Sequence, residues 1–173
     1  MLRKPLDGEH AGHFSHYIGL VPEGDVLGIL EEQGAAGERL FRSFAEEQGD
    51  DRYAPGKWSL KELLSHMIDT ERIMTGRLHR IARGDETAQP GFDQDAYTAN
   101  AEAGRLSLSF LIDEYAALRR TTLFLLRGIP EEAWTRKGVV SGNTMSARAF
   151  VYVVAGHELH HLSIVRERYL KQQ

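Results

Sequence analysis

Apolar positions recur at helical spacing in four long segments of this chain, and no stretch alternates convincingly in the manner of a strand. Val26, Leu30, Leu40, Phe41 and Phe44 predict a first long helix, opened by Asp25 and running to about Gln48. Gly28, Gly34 and Gly37 lower its propensity, so burial has to hold it. Ser59 followed by Glu62 is a capping box, which starts a second helix bearing the stripe Leu60, Leu63, Leu64, Met67, Glu71, Met74, Leu78 and Ile81 as far as Arg83. Leu108, Leu111, Ile112, Tyr115, Leu118, Thr122 and Leu125 mark a third over residues 107–127, closed by Gly128-Ile129-Pro130. A fourth, capped by Asn143, Thr144 or Ser146, runs to about Tyr169. These four predict an all-α, up-down four-helix bundle in one domain, and bundle interiors are where facing helices assemble metal sites.

The connecting segments are less regular. Residues 1–22 read as an N-terminal extension, in which His10, His13 and His16 have a ligand-like spacing of three but are better taken as solvated side chains of a flexible segment. Residues 84–104 form the longest irregular stretch, either packing back over one end of the bundle with a short helix near 93–101 or running exposed. Residues 131–134 read as one turn and 137–144 as a loop.

The apolar face of the fourth helix carries the candidate chemistry. His157 and His161 stand one turn apart, and advancing roughly 100° per residue puts both amid Phe150, Val153, Val154, Ile164 and Val165. They therefore point at the core, where each ring nitrogen needs a hydrogen-bond partner or a cation. A shared metal ion and a pair of ordinary core histidines both satisfy that need. On the second helix, His66 lies at the flank of the stripe beside Thr70 and Ile73, while His79 points away. The segment His157-Glu158-Leu159-His160-His161 also fits the H-E-x-x-H pattern of zinc peptidases. The metzincin form, however, wants Gly and His where this chain has Ile164 and Glu167. Few residues follow to supply a carboxylate from a later helix.

Composition narrows the choices. With 173 residues, a net charge of −4 and no cysteine, the chain suits one core, is a poor match for nucleic-acid phosphates, and must hold any metal with His, Asp or Glu. No apolar run is long enough for a membrane span and no secretion signal opens the chain, so a cytoplasmic protein is expected.

The motifs Lys57-Trp58-Ser59, Leu64-Ser65-His66 and Asp69-Thr70-Glu71-Arg72, then Pro90-Gly91-Phe92-Asp93 with Tyr97, then Gly156-His157-Glu158-Leu159-His160-His161-Leu162 occur in the order and separation of one family. Together they resemble the DinB/YfiT-like superfamily, bacterial four-helix proteins described as metal-dependent hydrolases. The resemblance covers nearly the whole chain. It implies that the second and fourth helices are neighbours, that His66, His157 and His161 are the metal ligands, that the ion is nickel or zinc, and that the protein forms a homodimer. Three imidazoles leave coordination positions free for a small-molecule substrate, as in catalytic zinc sites. Hydrolysis of an amide, ester or similar bond is the first reading. Related branches use low-molecular-weight thiols, which makes metal-assisted S-transfer the second, and a non-catalytic, metal-stapled stress-response bundle is the third.

Further site candidates carry competing roles. Asp69 can orient a ligand ring or act as a base, and equally can pair with Arg72 or Arg77. Glu158 is a base or, preferably, an ion-pair partner. His160 can donate to substrate or lie at the surface. Arg72, Arg77 and Arg148 are anchors for an anionic substrate or plain surface charges. Trp58 is read as a packing residue and Asn143 as a cap.

Overall fold

The computed structural model describes residues 2–170. Each long helix starts at a side-chain cap that satisfies otherwise orphaned amide groups. Asp25 accepts from the Leu27 and Gly28 N–H groups at the head of α2 (Val26–Arg42), and Ser59 and Glu62 exchange capping bonds at the head of α3 (Leu60–Ala82). Ser107 opens α5 (Leu108–Arg127), after the short α4 (Gln94–Ala101), and Ser146 opens α6 (Ala147–Ile164). Of the three caps proposed for the fourth helix, Ser146 is the one used. α2 stops at Arg42 rather than near Gln48, where the Ser43 hydroxyl turns back to the Leu40 carbonyl, and Glu46–Asp50 form a separate 3-10 turn.

The all-α four-helix bundle is the one expected, but the side-chain clusters give it a winding other than the simple alternating up-down one. Leu60 to Ile68 of α3 share a core with Leu108 to Tyr115 of α5, Phe41 and Leu162. Met74 to Ala82 share a second core with Leu123 and Leu126, Val26 and Leu30, and the first half of α6. So α3 and α5 run the same way and α2 and α6 the other, in the order up, down, down, up. α3 and α2 each pack against both α5 and α6, which sets α2 diagonally across the bundle from α3 and α5 diagonally across from α6. The parallel step from α3 to α5 obliges the chain to travel back along the bundle. Residues 84–107 make that return, packing α4 along α3 instead of running free.

Two segments depart from the sequence reading. Residues 137–144, taken as a loop, belong to a hairpin of β1 (Lys137–Val140) and β2 (Asn143–Ser146), turned by Ser141 and Gly142 at φ 51° and 76°. Two positive φ values in a two-residue turn match the right-handed strand twist, and the Ser-Gly pair after Val139 and Val140 was the available signal. The N-terminal segment is likewise not a solvated extension. Its α1 (Ser15–Leu20) lies on α6, with Ala11, Ile18 and Val21 buried. The backbones approach so closely that a Cβ on Gly156 would stand 1.9 Å from the Tyr17 carbonyl oxygen. With α1 over its outer side, α6 is buried from Ala149 to Glu158 without a break. No helix among the described residues is long and apolar enough to cross a membrane.

Candidate metal centre

Antiparallel packing of α3 on α6 sets the first third of one helix against the last third of the other, and the three histidines meet there. His66 Nε2 lies 3.0 Å from His157 Nε2, which lies 3.1 Å from His161 Nε2. All three side chains are buried, and each offers a nitrogen within 4.8 Å of the others. Trp58, ahead of the capping box, packs its ring 4.7 Å from that of His66, and Tyr17 of α1 sits 5.4 Å from His157.

Burial makes these rings poor bases for protons. The His66 pKa is pushed down to about 4 by burial, that of His161 to about 3 by burial and then by His66 and His160, and that of His157 falls well below the ordinary range for the same reasons. Neutral rings keep their lone pairs, yet His157 Nε2 carries one proton or one lone pair and cannot satisfy both of its ring neighbours, and His161 Nδ1 is buried without a partner. The donor set fits a divalent metal ion. Ligands about 2.0–2.1 Å from a tetrahedral ion stand roughly 3.3 Å apart, a few tenths of an ångström wider than found here.

Two cavities reach this cluster. One, of about 420 Å³, is walled by His66 and His157 at one end and by Thr70, Met74, Arg77 and Phe92 beyond them, with α1 as a side wall. The other, of about 270 Å³, touches His161 together with Trp58, Leu63 and Tyr169.

Of the remaining candidates, Arg77 lines the larger cavity and His160 adjoins the cluster, while the others sit elsewhere. Glu158 turns away from the histidines into a buried network: it binds Arg119 and accepts from the Tyr115 hydroxyl, while Arg119 donates to Glu71 at 2.6 and 3.0 Å and to the Leu30 carbonyl at 2.8 Å. Burial raises the Glu158 pKa against the pull of Arg119. Asp69 lies 3.5 Å from Arg72 of the same helix, which also donates to Glu114 of α5 at 2.8 Å. His160 is half-buried at the edge of the cluster, its ring 5.0 Å from that of His161 and 5.8 Å from that of His16. Arg148 pairs with Glu9, and Asn143 donates to the Ser141 carbonyl. Arg119 and Tyr115 had no place in the sequence reading of the site. Their signal was Gly34 and Gly37, where an added Cβ would meet Arg119 Cγ at 2.6 Å and the Tyr115 hydroxyl at 2.3 Å.

The DinB superfamily model matches residues 29–165, nearly all of the bundle and every residue of the cluster. The chain belongs to the DinB superfamily. Among solved structures this DinB protein is similar to YfiT from Bacillus subtilis, described as a probable metal-dependent hydrolase with an unusual four-helix bundle topology, at 16% identity and a TM-score of 0.74, covering 92% of this chain and 98% of that one. It is also similar to a mycothiol-dependent maleylpyruvate isomerase at 14% identity and a TM-score of 0.68, covering 84% of this chain and 61% of that one. A DinB-like protein, YjoA from Bacillus subtilis, aligns at 17% identity and a TM-score of 0.62 over 86% of this chain and 92% of that one. At these identities the likeness is one of fold. No curated protein matches the sequence.

Proposed function

We propose that this DinB protein is a metal-dependent hydrolase of a small molecule, with His66, His157 and His161 holding one nickel or zinc ion. The observation that carries the reading is three buried, neutral imidazoles converging at the wall of a cavity of about 420 Å³. A divalent ion held there supplies Lewis acidity, the chemistry that cleaves amides and esters. The chain's own contribution is placement. The Ser59–Glu62 cap sets the start of α3, Trp58 backs the His66 ring, and α1 supplies Tyr17 to one wall of the cavity. Glu158 holds the turn that carries His157 and does not face the cavity, which speaks for the ion-pair role and against a base.

A second reading, metal-assisted transfer to or from a thiol, is favoured by one feature. Two cavities meet at the same cluster from different sides, as a two-substrate reaction needs. Elemental analysis of the purified protein tests the shared premise. One ion per chain is expected, lost in His157→Ala. Hydrolysis of a panel of esters and amides without added thiol then supports the first reading, and turnover only with thiol supports the second. A full-occupancy ion with all coordination positions filled by protein would sink both.

A further inference from the structure

Besides Arg119, one other arginine is buried in the bundle, and its surroundings are the opposite. Arg77 is 7% exposed, yet it forms no ion pair among the described residues. Its contacts are neutral: Nη2 donates to the Pro90 carbonyl at 2.6 Å, the guanidinium lies 5.5 Å from the Phe92 ring centroid, and Nη1 approaches the Met74 sulfur at 3.7 Å. A buried cation without a counter-ion is unfavourable, because neutral dipoles replace only part of its lost hydration. Arg72 and Arg148, the other two arginines of the sequence reading, already have acidic partners.

The position of Arg77 gives the missing counter-ion a place. Arg77 lines the same cavity as His66 and His157, and His66, Thr70, Met74 and Arg77 follow one another along one face of α3 at spacings of three or four. Thr70, 3% exposed, has a hydroxyl without a hydrogen-bond partner, although Thr75 on the same helix bonds back to the Glu71 carbonyl in the usual way. An unpaired donor and an unpaired cation thus line a chamber whose apolar lining includes Phe14, Met74 and Phe92.

We propose that the cavity binds an organic carboxylate, with its charge on Arg77, its apolar body along Phe14, Met74 and Phe92, and its reacting group beside the three histidines. Thr70 donates a hydrogen bond between the two ends. One guanidinium already engaged by Pro90, plus one hydroxyl, suits a carboxylate better than a phosphate dianion, which draws more donors. This proposal rests on the hydrolase reading for the reacting end only.

The probe is 3-phenylpropionate, compared with its neutral amide and titrated into the full chain as purified and into His157→Ala. Binding of the acid, followed by calorimetry and by thermal shift, is expected to exceed that of the amide at least tenfold in both proteins. Arg77→Gln is expected to abolish the difference, Arg77→Lys to keep part of it, and Thr70→Val to weaken acid binding a few-fold. Arg77→Gln should also melt no lower than the parent, since it removes a cation that lacks a counter-ion, whereas an arginine kept only to pin Pro90 would lower the melting temperature on removal. Equal binding of acid and amide, no binding of either at millimolar concentration, or undiminished acid binding by Arg77→Gln overturns the proposal. If Arg77→Gln does not fold, full affinity of Arg77→Lys for the amide as well as the acid does so instead. Absence of metal from the parent protein would sink the hydrolase reading alone, because the acid-to-amide ratio is also measured without the His157 ligand.

Discussion

His157 and Glu158 are chain neighbours on α6, both buried, and each anchors a polar cluster in the bundle core, but the two clusters are finished to different degrees. Around Glu158 the protein supplies its own partners, with Arg119 between two carboxylates and Tyr115 and the Leu30 carbonyl taking up further bonds. Around His157 it supplies only more imidazoles, and a nitrogen of His161 is left without a partner. A self-satisfied network fixes how helices pack; an incomplete one waits for something from outside. Arg119 and Arg77 repeat the contrast, one guanidinium with two carboxylates and one with none.

The comparison is most severely tested by removing one member from each cluster. Arg119→Met strands two carboxylates in the core and is expected to cost about 3–5 kcal/mol of stability in chemical denaturation. His157→Ala should change the stability of the metal-free protein by less than about 1 kcal/mol, while ion affinity falls beyond the roughly 100-fold that loss of an outer partner can cause. Comparable destabilisation by both substitutions would erase the distinction. Glu158→Gln keeps a hydrogen-bonding side chain of the same shape, so a loss of only about 1 kcal/mol is expected, with the ion still bound. Loss of the ion or of turnover at unchanged stability would move Glu158 from the packing cluster to the chemistry.

The smallest effect concerns the wall that α1 gives the cavity. Burial favours the protonated form of Glu9, but hydrogen bonds from Arg148 and the Leu6 N–H outweigh it and hold the carboxyl below its ordinary value of 4.5. A depressed carboxylate stabilises the fold above the unfolded value and loses that contribution as pH falls through the folded one. The stability advantage of the parent over Glu9→Gln should therefore be full at neutral pH, begin to shrink near 4.5 and disappear as pH falls through the lower folded value, as followed by thermal melts across pH.

What the sequence disclosed of this molecule depended on how local the cause was. The caps at Asp25 and Ser59, the helices they start and the inward aim of His157 and His161 all follow from neighbours within a turn or two. The return segment around α4 was legible as an irregular stretch with a short helix in it, though not its task of making α5 parallel to α3. Arg119 was invisible because an arginine beside Arg120 reads as surface charge, and only the glycines across the interface on α2 betray it. The docking of α1 was missed for a similar reason. His13 and His16 are exposed as expected, but the surface that buries the segment's apolar residues belongs to α6. Without α1 there is no side wall, so the cavity itself was beyond reach of any pattern in the chain.

That wall has a bearing on when the protein becomes competent. Glu9 and Arg148 stand 139 positions apart, and Tyr17 seats against Gly156, so the first helix finds its main partner only in the last. On the ribosome the early residues must wait for almost everything after them, and His66 waits equally for the other two rings. Assembly of the chamber is thus a late, long-range event in folding, and an ion or small acid present in the cell meets a chain that is already nearly whole.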